Sequence, residues 1–254
     1  MGTNFQSNLS MFLPGNDAAS PLVDLSPNGN DFTVDGATLQ DPAIDGSCVS
    51  YDETNDRCTR SNASQVGLDP TTGSFVIATK VLANLPGTTS TIMAKREATL
   101  GTTFYRCGVA ASGKAFFAIT SATGAAQAVI NSTTTVGDGA TIFRLMFVCD
   151  RDANLLRMFI NGISDATAVD CSTVLDISNT DLVELGAASG ASWYGGKMGK
   201  TLFWNGANFT AAQALEFDNG GNWPTTYAGL DMRGGGGDSN AQNRKNQLRL
   251  LGLP

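Results

Sequence analysis

The sequence predicts an all-β protein: a two-sheet antiparallel jelly-roll sandwich with one short helix and an extended C-terminal arm. Short runs rich in β-branched and aromatic residues recur along the chain, each bounded by Gly, Asn, Asp, Ser or Pro. Only 15% of the 254 residues are charged, and 29 glycines suit a chain with many turns. Because just one stretch has helical features, we expect a sandwich rather than a mixed fold.

Nine runs have the length and composition of strands. The run TIFRLMFVC is apolar on both faces, which is typical of a central strand in a two-sheet stack. With the polar turn 150–154 and the run LLRMFI it predicts a hairpin. Asn161–Gly162 then predicts a type I′ turn, because both residues tolerate positive φ. The nine runs are 73–82, 90–97, 103–111, 114–122, 126–133, 141–149, 155–160, 181–187 and 197–205.

The stretch 210–220 predicts the one helix. Thr210 can cap its start, alanines favour its interior, and Asn219–Gly220 can end it. After Leu230 the composition changes, with four consecutive glycines followed by a segment with little core periodicity. We therefore divide the chain into three parts: an N-terminal lead-in at 1–19, the sandwich at 20–232, and a Gly-rich linker with a C-terminal arm at 233–254.

The arm differs in charge from the rest of the chain. It carries four basic residues and one acid, a balance of +3, which leaves −10 for the remainder of a chain with net charge −7. A basic arm on an acidic body suits docking on an acidic neighbour. The predicted interface residues are Arg233, Arg244, Lys245, Leu248, Arg249, Leu250, Leu251 and Leu253.

Composition argues against several classes of partner. A net charge of −7 does not suit phosphate binding, so we expect no nucleic-acid partner. No apolar stretch reaches the roughly 18 residues of a membrane span, and the first residues lack the pattern of a signal peptide. We therefore expect no membrane partner and synthesis in a cytoplasm. Five cysteines without a C-x-x-C pair predict buried thiols.

The chain contains no histidine, which removes every histidine-based triad, dyad and metal site. Paired carboxylates are the remaining route to hydrolysis, but the four glutamates include no E-x-D-x-x-E spacing. We predict a protein that is not an enzyme, with no catalytic residues and no cofactor.

One segment is a candidate calcium site. Residues 24–31 (DLSPNGND) offer Asp24, Asn28, Asn30 and Asp31 as oxygen ligands. The alternative is a set of Asx–Gly turns, which draw on the same residue types.

Aromatic residues in the last quarter of the chain suggest a contact with sugars. Trp193 and Tyr194 stand between Ser192 and Gly195 and are candidate glycan contacts, because flat aromatic rings stack on sugars. Trp204 lies in an apolar run and is predicted to pack in the core or between secondary-structure elements.

The order of several segments resembles laminin-G-like, concanavalin A-like jelly-roll domains. DLSPNGNDFTVDGAT followed by GSCVSYDETNDRCTR is similar to their opening, and FRLMFVCDRDANLLRMFINGISDA is similar to their central hairpin. The segment from Tyr194 to Asn222 is similar to their closing strand and short helix. The resemblance covers residues 20–230 and implies the sandwich fold. The acidic triplet of the glucanase branch is missing, so the resemblance does not imply hydrolysis.

The closing ALEFDNGGNWPTTYAGL is similar to versions of the domain in virion proteins of tailed bacteriophages. The resemblance implies a structural protein of the virion, assembled in the cytoplasm of a bacterial host. Within that class we expect a capsid decoration or cement protein whose arm binds the major capsid protein, with a tail or head-fibre subunit as an alternative. A homo-oligomer is a further alternative. The rival class is a carbohydrate-binding module that uses surface glycans as partners.

Overall fold

A computed structural model describes residues 3–96, 103–224, 226 and 228–230, and these residues form two antiparallel sheets packed face to face. The first sheet has the order β13-β12-β11-β6-β16-β4-β3, with β1 beside β16 and β14 beside β12. Its strands are β1 (Leu9–Leu13), β3 (Thr38–Asp41), β4 (Cys48–Asp52), β6 (Phe75–Ala83), β11 (Phe143–Asp150), β12 (Leu155–Ile160), β13 (Ile163–Ser164), β14 (Val169–Asp170) and β16 (Gly195–Asn205).

The second sheet has the order β10-β9-β8-β7-β15-β5-β2. Its strands are β2 (Thr33–Asp35), β5 (Arg57–Arg60), β7 (Ser90–Arg96), β8 (Thr103–Val109), β9 (Lys114–Thr120), β10 (Gln127–Thr135) and β15 (Val183–Leu185). The predicted sandwich is confirmed, and each of the nine predicted runs contains a strand.

The inner core lies between the sheets and accounts for the apolar faces of the central strands. It includes Phe75, Phe117, Phe147 and Phe203, and the Phe75 ring stacks on the Phe203 ring at a centroid distance of 5.6 Å. All five cysteines are buried, as predicted. Cys107 and Cys149 lie in strands β8 and β11, whose apolar residues form part of the inner core.

A second apolar cluster, here the outer cluster, covers the outward face of the first sheet. Trp204 of β16 is its centre, with ring centroids 5.0 Å from Phe209 and 5.3 Å from Phe217. The N-terminal segment completes the cluster, because the indole Nε1 of Trp204 donates to the carbonyl of Phe5 at 2.7 Å. Trp204 is buried as predicted, but outside the sandwich rather than between the sheets.

Helix α1 (Ala211–Asp218) lies on this outer cluster and confirms the predicted helix. Thr210 caps it: the Thr210 hydroxyl accepts from the backbone N–H of Gln213, and the Gln213 side chain accepts from the N–H of Thr210. Asn219 ends the helix in the left-handed conformation, at φ 43°. Because Phe217 and Ala214 are buried, the helix holds one side against the sheet.

The predicted turn at Asn161–Gly162 joins β12 to β13, with φ of 54° and 78°. The glycine has a second role, because a Cβ at Gly162 would lie 2.8 Å from the Cβ of Asp218 at the end of α1. Asn161 also accepts from the backbone N–H of Arg144 at 3.1 Å. The turn therefore lets the hairpin and the helix approach closely.

The segment predicted as a lead-in contributes a strand, because β1 pairs with residues 201–204 of β16. Thr3 extends this attachment: its hydroxyl donates to Glu216 of α1 at 2.6 Å. The backbone N–H of Phe5 also donates to the carbonyl of Leu230 at 2.9 Å. The predicted arm at 233–254 and its eight interface residues lie outside the described residues.

Candidate functional site

Three cationic side chains stand on the outward face of the first sheet, beside the outer cluster. Arg144 of β11 is paired in register with Lys80 of β6. On the other side of β6, the pairing of β16 is irregular between Met198 and Thr201, which is where Lys200 lies. The Lys80 and Lys200 ammonium groups lie 2.7 Å and 3.2 Å from the same Asp45 oxygen, Oδ2. Sheet geometry therefore brings together cations that are far apart in sequence.

Asp45 comes from the loop between β3 and β4 and lies between the two lysines. Its backbone has φ 51°, a left-handed conformation that non-glycine residues seldom adopt and that is often found at functional sites. Burial alone would raise the pKa of Asp45. The hydrogen bond and charge of Lys80, together with the charge of Lys200, outweigh burial and lower that pKa below its usual range. Asp45 is therefore held as a carboxylate.

The segment after helix α1 closes the site. The Lys80 ammonium donates to the carbonyl of Gly221 at 2.8 Å, and the Lys200 ammonium donates to the carbonyl of Trp223 at 3.3 Å. The Trp223 ring lies 5.7 Å from the Lys80 nitrogen, and its Nε1 donates to Asp218 at 3.1 Å. Asp218 also forms an ion pair with Arg144, at 2.7 Å. The segment that follows helix α1 is thus fixed to the sheet by these contacts.

Burial lowers the pKa of Lys80, and the charges of Lys200 and Arg144 act in the same direction, whereas Asp45 opposes them. Only 4% of the Lys80 side chain and 9% of the Lys200 side chain are exposed, against 36% for Asp45. The two ammonium groups are therefore held in place below a carboxylate that solvent can reach.

These groups border a pocket of about 380 Å³, here the Asp45 pocket. Its volume is in the range of small-molecule sites. It is lined by Pro14, Asn16, Asp45, Ser47, Lys80, Lys200, Gly221, Asn222 and Trp223.

The Asp45 pocket offers donors beside acceptors. An ammonium has three N–H donors, and Lys200 uses two of them, on Asp45 and on the carbonyl of Trp223. No described residue takes the third N–H of Lys200 or the outer lone pairs of Asp45, so these groups are the ones that a ligand could bind. Because a hydroxyl both donates and accepts, this arrangement suits a ligand with neighbouring hydroxyl groups.

A second pocket, of about 450 Å³, lies near the start of helix α1 and includes Asp150, Arg157 and Asn208. Its polar groups already satisfy one another: Arg157 forms an ion pair with Asp150, and the Asn208 amide donates to Asp150 at 3.1 Å. Phe159, Phe209 and three alanines supply much of the remaining lining. Its charged and amide groups are therefore bonded to one another beside a largely apolar lining.

The structure corrects one of the two predicted glycan contacts. Tyr194 is fully buried in the inner core, where its ring lies 5.8 Å from that of Tyr51, so it cannot meet a ligand at the surface. Trp193 is half-buried in the loop between β15 and β16 and does not line the Asp45 pocket. The glycine pair after Tyr194 suggested a loop, but Gly195 already begins β16.

The four residues predicted as calcium ligands lie close together in one hydrogen-bonded loop. The Asp24 carboxylate accepts from the backbone N–H groups of Phe12, Ser26 and Asn30 at 2.7 to 2.9 Å. The Asn30 side chain bonds to Ser10 and Val66, the Asn28 amide donates to the carbonyls of Leu9 and Ser10, and Asp31 accepts from the N–H of Asp24. These contacts match the Asx-turn alternative. Within the described ranges, no three acidic or cysteine side chains are grouped so that they could hold a metal ion.

Comparison with known proteins supports the fold. No protein-family model matches the chain, and no curated protein does. The binding domain of Paraclostridial Mosquitocidal Protein 1 superposes with a TM-score of 0.68 at 10% identity, over 84% of this chain and 52% of that one. The ligand-binding domain of botulinum neurotoxin serotype D in complex with N-acetylneuraminic acid gives 0.66 at 10% identity, over 85% and 51%.

Trypanosoma rangeli sialidase in complex with the inhibitor DANA gives a TM-score of 0.61 at 12% identity, over 83% of this chain and 32% of that one. The chain thus spans about half the length of the two toxin domains and about a third of the sialidase. At these identities the likeness shows the fold alone. The chain has the jelly-roll-like β-sandwich that the sequence predicts. In the described residues no helix is long and apolar enough to cross a membrane.

Proposed function

We propose that this protein is a lectin-like binding module whose Asp45 pocket takes a saccharide. The observation that carries the proposal is the convergence of Lys80, Lys200 and Asp45, from three separate segments, in one pocket. Such a set of fixed donors and acceptors orients a hydroxyl-bearing ligand, as in other small-molecule sites. A protein of the same fold that was solved with N-acetylneuraminic acid supports a sugar as the ligand.

The charge of the pocket narrows the proposed ligand. Two lysines face one carboxylate among the residues that line it, which gives a balance of +1. Acidic sugars are therefore expected to bind more tightly than neutral ones of the same shape.

The proposal is binding without hydrolysis. A glycosidase of the usual kind needs two carboxyl groups on opposite sides of the scissile bond. Asp45 is the one carboxylate among the described lining residues, and two lysines already hold it. An activity assay on any glycan that binds checks this part of the proposal.

A glycan array, followed by titration of the best ligand, tests the proposal. Lys200→Met keeps the aliphatic stem but removes the ammonium, and we expect affinity to fall about 10- to 100-fold, as for loss of a charged hydrogen bond. Lys114→Met on β9 of the second sheet is the matched control, because it removes a lysine away from the pocket. Equal affinity in wild type and Lys200→Met, or no glycan bound by the wild type, would disprove the saccharide pocket.

Two further measurements on the same array test the alternative sites, which are the loop with Trp193 and the calcium candidate. Trp193→Ala tests the half-buried tryptophan as a contact, and loss of binding in that variant alone would move the site to the loop between β15 and β16. A chelator tests calcium at 24–31. If the chelator abolishes glycan binding, the loop binds calcium in addition to forming its internal hydrogen bonds.

The second proposal is the virion role, with capsid decoration as its first form. It is supported by the resemblance of the closing segment to phage virion proteins and by the charge contrast between the arm (+3) and the rest of the chain (−10). Deletion of 233–254 is expected to abolish association with phage particles while leaving the near-UV circular dichroism spectrum of the sandwich unchanged. A truncated protein that still decorates particles would disprove the role of the arm.

A further inference from the structure

Arg106 occupies the middle of the outward face of the second sheet. Its neighbours in the register are Ala94 on β7 and Ala118 on β9, both small. Tyr105 and Cys107, on either side of it in β8, belong to the inner core. Since successive side chains of a strand point to opposite faces, Arg106 points away from the core.

Two contacts hold the guanidinium in place. Its Nε donates to the hydroxyl of Thr91 at 2.8 Å, and its central carbon lies 5.1 Å from the centroid of the Phe116 ring. Stacking on an aromatic ring is a typical way to fix an arginine. Gly108, opposite Phe116 in the register, leaves room for that ring, because a Cβ there would lie 2.8 Å from it. The orientation of Arg106 is therefore fixed before any ligand arrives.

The charge of Arg106 is not balanced within the described residues. Seven of the described lysines and arginines form ion pairs with described acids, whereas Arg106, like Arg60, Lys114 and Arg151, forms none there. Its Nη2 nitrogen is buried and has no hydrogen-bond partner within the part of the chain that the structure describes. Burial lowers the pKa of Arg106 to about 10, and the like charge of Arg96 acts in the same direction. An unpaired buried charge is costly for folding, and such groups concentrate at functional sites.

We infer that Arg106 is the centre of a second binding site, for an oxyanion group such as a carboxylate or a sulfate ester. With Nε bound to Thr91, the buried Nη2 group and Nη1 have no partner among the described residues, and together they form the two-pronged donor that matches such an anion. The site lies on the second sheet, whereas the Asp45 pocket lies on the outward face of the first. It is therefore independent of the proposed saccharide pocket.

The test uses the full chain, with glucuronate, sulfate, glucose and chloride as probes at equal ionic strength, read by calorimetric titration and thermal unfolding. All measurements are made in a Lys200→Met background, so that binding in the Asp45 pocket is weakened about 10- to 100-fold and contributes little. We expect glucuronate or sulfate to bind and to raise the unfolding temperature, as a ligand of the native state does. Arg106→Met should abolish both effects, and Arg106→Lys, which lacks the two-pronged donor, should weaken binding at least tenfold. Glucuronate binding without sulfate binding would identify a carboxylate site, and the reverse a sulfate site.

Arg151→Met is the control for loss of an arginine, since Arg151 donates to the backbone carbonyls of Val174 and Leu175. It should lower the unfolding temperature without changing anion binding. Arg106→Met, which removes an unpaired charge, should leave the unfolding temperature of the free protein unchanged or raise it. The inference is overturned if Arg106→Met destabilises the free protein as Arg151→Met does, or if anion binding survives in Arg106→Met.

Discussion

On the outward face of the first sheet, helix α1 and the N-terminal segment bury a second set of aromatic rings, and the cations beside them pair with Asp45 and Asp218. On the outward face of the second sheet, Arg106 stacks on Phe116 and has no acidic partner among the described residues. Among the described residues, the three cations of the first face thus each contact a carboxylate, whereas Arg106 on the second face contacts none. The contrast teaches that several segments can together pair the cations of one face and complete a pocket there, whereas a cation that only its own sheet holds is available to a ligand.

The largest expected effect concerns the aromatic rings on the two faces. Trp204→Ala removes a fully buried ring and its hydrogen bond to Phe5, and should lower the free energy of unfolding by about 3–5 kcal/mol. Phe116→Ala, on the second sheet, removes a ring that is 7% exposed but has no hydrogen bond to lose, and should cost about 2–3 kcal/mol, close to the transfer value alone. Urea unfolding followed by circular dichroism measures both. Equal losses would mean that the two faces are covered to the same extent.

A smaller effect is expected where the hairpin meets the helix. Gly162→Ala places a Cβ 2.8 Å from Asp218, in addition to the strain of φ 78°, and should cost about 2–3 kcal/mol. Gly29→Ala is the matched control, because φ there is 61° and nothing lies within 4 Å of the added Cβ. We expect about 1 kcal/mol for the control, from backbone strain alone. Thermal unfolding of both variants gives the difference, and no difference would show that the helix yields to the added methyl group.

The smallest expected effect is a difference between the two faces in how the free energy of unfolding depends on acidic pH. Because the Asp45 pKa is lowered in the folded protein, the carboxylate contributes stability above its unfolded value of about 3.9, and this contribution is lost as the pH falls through the lower folded pKa. The stability difference between wild type and Asp45→Asn should therefore be constant near neutrality and shrink below about pH 4. The difference between wild type and Arg106→Met should stay flat over that range, since no carboxylate faces Arg106 among the described residues. Urea titrations at each pH measure both, and a flat Asp45→Asn difference would contradict the lowered pKa.

The sequence was most informative about the long central strands and the helix. Runs such as TIFRLMFVC are apolar on both faces, and Thr210 and Asn219 mark the helix ends through their own chemistry. The short edge strands were missed because they bury few side chains; β2 and β13, for example, have none that is fully buried. The run LSMFL of β1 is buried at every position, and this apolar stretch was a signal that could have placed it in the sheet.

The candidate site could not be predicted in the same way. Lys80 and Lys200 lie inside predicted strands, where a lysine is usually expected to face solvent. Asp45 lies in a loop. They meet only because β6 and β16 are neighbours and the β3–β4 loop reaches the face of β6. For Tyr194, the adjoining glycines indicated a surface loop, whereas burial of the ring depends on packing against Tyr51 from another strand.

The hydrogen bond between Phe5 and Leu230 brings two positions that are far apart in the chain to the same side of the domain. A polypeptide that enters the domain at residue 5 and leaves it after residue 230 does so at two adjacent points, both against the outer cluster of the first sheet. The opposite side of the sandwich, with Arg106 at its centre, then points away from the tether. A domain anchored by its chain ends would present that side to whatever approaches from solution.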